Sequence, residues 1–120
     1  MSFVFNKNGM CENPEVLEVH RAGKDIGLVK LAQIPDGSWV YGYQWDIHDG
    51  GSSSAAGYNE YRKAYPDRHS ALLAALDNGF RHATHYEKWP DAATRKGHRK
   101  LKEAIKQYRA SLAQTRLSFE

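Results

Sequence analysis

Between Ser38 and Asp46 large and small side chains alternate with a period of two. Successive residues of a strand point to opposite faces. Trp39, Tyr41, Tyr43 and Trp45 therefore share one face, and Ser38, Val40, Gly42 and Gln44 share the other. Residues 16–21 alternate well enough for a strand, and residues 26–34 are rich in β-branched and aliphatic side chains. Ala22-Gly23-Lys24-Asp25 and Pro35-Asp36-Gly37 separate these runs. The second is a turn with a mechanism, because proline presets φ and glycine accepts a positive one. Three strands joined by short turns make an antiparallel meander.

Downstream the period lengthens. Leu72, Leu76, Phe80 and Ala83 recur at about one helical turn, which predicts a helix capped at Asp67 and running to about Tyr86. Asn78-Gly79 weakens its middle. Trp89-Pro90 breaks the pattern, and Pro90 suits the first turn of a second helix, with Asp91 favourable beside it. That helix carries Leu101, Ile105, Tyr108 and Leu112 on one face. Residues 115–120 read as a short tail whose Leu117 and Phe119 dock on the sheet or meet a second subunit. Residues 49–57, rich in Gly and Ser, read as a mobile loop. Residues 1–14 lack periodicity and read as a flexible arm.

The predicted architecture is a single α+β domain over 15–120: a three-stranded antiparallel β-meander followed by two helices packed on one sheet face. Two amphipathic helices need an apolar surface, and the four aromatic rings are the most apolar one available. The ladder is thus expected to be the floor of the core. Trp39 and Trp45, at its ends, are the candidates for interface or stacking contacts at the rim.

Composition narrows the function classes. A chain of 120 residues with 41% apolar and 26% charged residues is one ordinary globular domain. Its one cysteine, Cys11, excludes an internal disulfide and the usual cysteine-based zinc sites. No apolar run approaches a membrane span or a signal-peptide core, which places the expectation in the cytoplasm, away from membranes. The net charge of +3 hides an asymmetry. Residues 1–60 have a balance of −4 and residues 61–120 a balance of +7. A basic half points to an anionic partner.

Arg95, Arg99, Lys102, Lys106 and Arg109 form a continuous stripe along the second helix, with Lys96 and Lys100 nearby and Glu103 the one acid in that span. Such a stripe contacts phosphates without regard to sequence. Arg62 and Lys63, among Tyr58, Tyr61 and Tyr65, extend the candidate surface. Two other constellations carry less. His82 and His85 share a helix face but lack a third ligand or an HExxH pattern, so neither a metal nor a cofactor is expected. His69 and His98 have no evident partner. His20, His48, His85, Asp46, Asp49 and Glu60 supply acid–base groups without a nucleophile motif or a paired-carboxylate signature. No catalytic residue is expected.

Trp39, Tyr41-Gly42, Gly50 to Ser54 and Ser70 to Leu76 together resemble a small module of plasmid and phage accessory proteins, some related to partition proteins. In that module a Trp-x-Tyr-Gly strand precedes a Gly/Ser-rich loop and an Ala/Leu-rich helix. The resemblance covers residues 37–76 and implies a mobile-element setting with a binding or regulatory task. The expectation is a small nucleic-acid-binding accessory or regulatory protein. The alternatives are an inhibitor or adaptor that blocks the nucleic-acid-binding or acidic surface of another protein, such as a nucleic-acid-handling one, and a small nuclease or metal enzyme. Exposed sheet edges invite pairing with another chain, so a homodimer belongs to the same expectation.

Overall fold

A computed structural model of the protein describes residues 2–58 and 63–118. Its strands β1 (Glu15–Ala22), β2 (Asp25–Gln33), β3 (Trp39–Ile47) and β4 (Gly50–Ser54) form one antiparallel sheet in the order β1-β2-β3-β4. Helices α1 (Arg68–Tyr86) and α2 (Ala92–Ser118) follow. The class is α+β, and the sheet has four strands rather than three. The fourth lies in the segment that composition assigns to a loop. Gly-Gly-Ser-Ser-Ser has little intrinsic strand preference, so its pairing comes from its surroundings. Asp49 takes a φ of 52° and turns the chain straight back along β3, from Ile47↔Gly50 to Tyr43↔Ser54. Gly50 then passes so close to α1 and α2 that a Cβ there would stand 2.7 Å from the His98 ring and 2.9 Å from that of Tyr86.

The aromatic ladder faces the helices. Val29, Leu31, Trp45 and Ile47 from the sheet pack with Leu72, Leu76, Leu101 and Ile105 from the helices. Trp45 is 0% exposed. Its indole stacks on Tyr43, with ring centroids 6.0 Å apart, and its Nε1 donates to Asn78 Oδ1 at 2.9 Å. Two glycines clear the space for the ring. Gly27, its cross-strand partner, would place a Cβ 3.3 Å from the indole, and Gly79 of α1 would place one 2.6 Å away. Asn78-Gly79, which weakens α1 by propensity, is thus the pair that receives Trp45. Trp39, Tyr41 and Tyr43 are partly buried on the same face.

The opposite face holds a second, smaller cluster. Cys11, Ala32, Val40 and Ala56 are buried there, with Phe3, Phe5 and Ile34 packed against them. Residues 2–13, read as an arm, lie on this face. Cys11 N–H donates to the Ala56 carbonyl at 2.7 Å, and Tyr58 N–H to that of Gly9 at 2.9 Å. Gly42 permits the close crossing of residues 54–56, because a Cβ on it would lie 2.4 Å from their backbone.

The helix ends follow from local chemistry. Asp67 caps α1 by accepting from Ser70 N–H at 2.7 Å. Asp91 does the same for α2, accepting from Thr94 N–H at 2.9 Å and from its hydroxyl at 2.8 Å. Pro90 therefore precedes the cap rather than occupying the first turn. Residues 115–118, read as a tail, continue α2. Arg68 donates through Nε and Nη2 to the two oxygens of Glu15, at 2.8 and 2.7 Å, and ties the start of α1 to the start of β1. This fork holds the Glu15 carboxyl below its ordinary range. Among the described residues no helix is long and apolar enough to cross a membrane.

Candidate nucleic-acid interface

The buried face of α2 runs through Thr94, Gly97, His98, Leu101 and Ile105. The predicted basic stripe lies just beside this seam, on the flank that meets α1, and two of its members are drawn into structural contacts. Arg95 donates through Nη1 to the Trp89 and Pro90 carbonyls, at 2.8 and 2.6 Å, and so closes the turn between the helices. Lys102 pairs with Glu87 at 2.9 Å and lies 4.6 Å from the centre of the Phe80 ring. Arg109 is half-buried, and its Nε has no hydrogen-bond partner among the described residues. Arg99 and Lys106 are exposed.

Two cations outside the predicted stripe complete the outer face of α2. Lys96 and Lys100 are exposed, and with Asp25, His48 and Gly97 they line an open cleft of about 450 Å³. Lys96, Arg99, Lys100 and Lys106 form no ion pair among the described residues. They span about 15 Å of helix axis at 1.5 Å per residue. The signal for them was present: they stand opposite the Leu101–Ile105 seam. What the sequence withheld was the flank on which α1 lies.

Of the other candidates, Lys63 is exposed at the β3–α1 side, with its ammonium 5.5 Å from the Tyr65 ring centre and away from α2. Arg62 and Glu60 lie outside the described residues, as does Phe119. Trp45 is sealed between sheet and helix, so its ring is not available to stack on a ligand. Trp39 is partly buried and meets Phe3 edge to face at 5.9 Å.

The histidines group differently from their spacing in sequence. His82 meets His98 of α2 and Tyr86, with ring centroids 5.2 and 4.9 Å away, whereas His85 is exposed beside Tyr86 and Trp89. His98, for which the sequence offered no partner, is fully buried. Its Nδ1 lies 2.7 Å from the Thr94 carbonyl, to which it donates, while its Nε2 has no partner among the described residues. Burial, then the neighbouring His98, push His82 down to about 4. The unfolded chain therefore takes up a proton on His82 near pH 6.5 that the folded chain refuses until about pH 4. Stability from this group is complete above pH 6.5 and is lost as the pH falls towards 4, by about 1–2 kcal/mol for a partly solvated ring. Urea titrations from pH 7 to 4 are expected to give a shallower loss for His82→Gln than for the wild type; parallel curves would remove the assignment.

His48 Nε2 lies 3.5 Å from both Asp49 and Asp91. One donor atom of each of these three residues falls within a 4.8 Å group. All three are exposed, and the Asp91 oxygen facing His48 already accepts from Thr94. His20 is on β1, and Asp46 is exposed on the sheet face opposite the helices. Among the described residues of the predicted acid–base set, only His48 and Asp49 thus share a contact. Compared with known proteins, the chain matches no family model, no curated protein and no solved structure.

Proposed function

We propose that the protein is a small nucleic-acid-binding accessory or regulatory protein that holds phosphates on the outer face of α2. The observation that carries this reading is the row of exposed cations, Lys96, Arg99, Lys100 and Lys106, on one rigid helix. Phosphate contacts of this kind release counterions, so affinity falls steeply with salt. The mobile-element setting implied by the Trp-x-Tyr-Gly resemblance belongs to the same proposal, as does a homodimer formed through the outer edges of β1 and β4.

The test is fluorescence anisotropy with labelled single- and double-stranded DNA and RNA across a salt series. Replacing the four cations with glutamine is expected to weaken binding to every sequence and to lower the slope of log K against log salt by about 3. A slope unchanged by the four substitutions would overturn the reading. Light scattering on the same samples sizes the protein, and a monomer at every concentration removes the dimer.

A second reading rests on Trp89, which is 39% exposed at the turn that leads into α2. Aromatic and arginine side chains are common interface anchors. An inhibitor or adaptor that occupies the nucleic-acid-binding surface of another protein would use this residue beside the same cations. Nuclease-treated purification separates the two readings: a co-purifying protein lost on Trp89→Ala favours the second.

A further inference from the structure

Beside β4 and the segment before α1, the aromatic ladder is not fully covered. α1 lies over β2 and β3, and α2 packs mainly on β1 with His98 over Gly50; a cavity of about 300 Å³ remains beside Ser54. Tyr41 and Tyr43 of β3, Ser54 of β4, Asn78 of α1, and Lys63 and Tyr65 of the segment before α1 line it. The volume is at the lower end of the range for small-ligand sites.

Three features of the lining define what fits. The rings of Tyr41, Tyr43 and Tyr65 form one continuous wall, with centroids 6.3 Å apart for Tyr41–Tyr43 and 6.0 Å for Tyr41–Tyr65. A planar ring can lie against such a wall. The polar groups are also oriented. Trp45 Nε1 is only a donor, so the Asn78 atom that meets it must be the oxygen, and the amide nitrogen remains a donor at the cavity wall. Tyr41 lines the same wall, and its O–H has no acceptor among the described residues, so it can donate to a ligand acceptor. Lastly, Lys63 holds its ammonium over the Tyr65 ring. Three tyrosines alone would make a cage for a cation. With Lys63 in that role, the cavity repels a second cation and attracts an anionic group.

A nucleotide combines a planar base, hydrogen-bond acceptors on the base edge and a negative phosphate within reach of it. We propose that the Tyr41–Tyr43–Tyr65 cavity binds a single nucleotide, with its base against the tyrosine wall and its phosphate towards Lys63. The site is separate from the cations of α2 and does not depend on their role. The nucleotide is either free in solution or an unpaired residue of a strand.

Calorimetric titration of the protein whose four α2 cations are replaced by glutamine, with AMP and UMP, then adenosine and uridine, then a short single-stranded oligonucleotide, tests this. Saturable nucleotide binding is expected. Tyr43→Leu should weaken it about tenfold or more, the usual effect of losing one stacking ring. Lys63→Ala, a change at an exposed side chain, should reduce mononucleotide affinity to that of the nucleoside. Binding of the mononucleotide assigns the site to free nucleotide, and binding of the oligonucleotide alone assigns it to an unpaired base. Absence of saturable binding for both, binding indifferent to Lys63→Ala, or tighter binding of tetramethylammonium than of AMP would each overturn the proposal. Because α2 is already neutralised in this protein, a failure here leaves the α2 reading standing, and the reverse also holds.

Discussion

Replacing Trp45 with alanine is expected to destabilise the fold by about 3–5 kcal/mol, the usual cost of emptying a core aromatic site. That is a large share of the 5–15 kcal/mol typical of a natural domain. The indole touches both layers at once. It lies between Gly27 of β2 and Gly79 of α1, stacks on Tyr43 and donates to Asn78. Two of these neighbours, Gly27 and Gly79, have no side chain with which to fill the void. Alanine also leaves Asn78 Oδ1 without its donor. Trp45→Phe separates the two effects, since it keeps most of the ring but not the N–H, and about 1–3 kcal/mol is expected for the unsatisfied amide. Urea unfolding followed by circular dichroism measures both. A loss under about 1 kcal/mol for the alanine variant would mean that the ring does not fill the core.

Gly79→Ala provides a test of opposite logic. In an exposed helix interior this change stabilises by about 1 kcal/mol, because glycine is the poorer helix former. Here the new methyl would meet Trp45 Cζ2 at 2.6 Å and Cη2 at 2.8 Å. The indole is fixed by its hydrogen bond to the preceding residue, so neither group can move without breaking another contact. Overpacking of this kind costs about 1–3 kcal/mol and exceeds the helix gain. The expected outcome is a net loss of stability, read as a lower urea midpoint with an unchanged slope. A raised midpoint would show that the α1–β3 contact is looser than the geometry requires.

These two variants also show what the sequence can and cannot reveal. The period-two run that ends at Trp45 and the period-four runs of α1 and α2 were legible because each buries one face against one neighbour. Asn78-Gly79 looked like a defect, because helix propensity does not register a ring arriving from a strand more than thirty residues earlier in the chain. The same limit hid β4. Gly50–Ser54 has no apolar pattern of its own, and its pairing depends on Asp49 turning the chain and on the room that Gly50 leaves for His98 and Tyr86. For the candidate site, the charge of α2 was legible but its allocation was not. Arg95 and Lys102 differ from Arg99 and Lys106 only in where the α1–α2 turn and Glu87 lie, which is a tertiary fact. The tyrosine cavity was half visible. Tyr41 and Tyr43 belong to the ladder, whereas Tyr65 and Asn78 reach it from separate elements.

The order of elements has a further consequence, at the ribosome. Every strand pairs with its neighbour in sequence, so all residues of the meander have been made when Ser54 emerges. Its aromatic face then has no cover until Leu72 of α1 and finally Leu101 of α2 are made. At about 5–20 residues per second that interval lasts seconds, far longer than hydrophobic collapse takes. A nascent chain halted before α2 displays Val29, Leu31 and Trp45 under half a lid. The growing chain therefore exposes side chains that holding chaperones are expected to cover, although the finished chain hides every one of them.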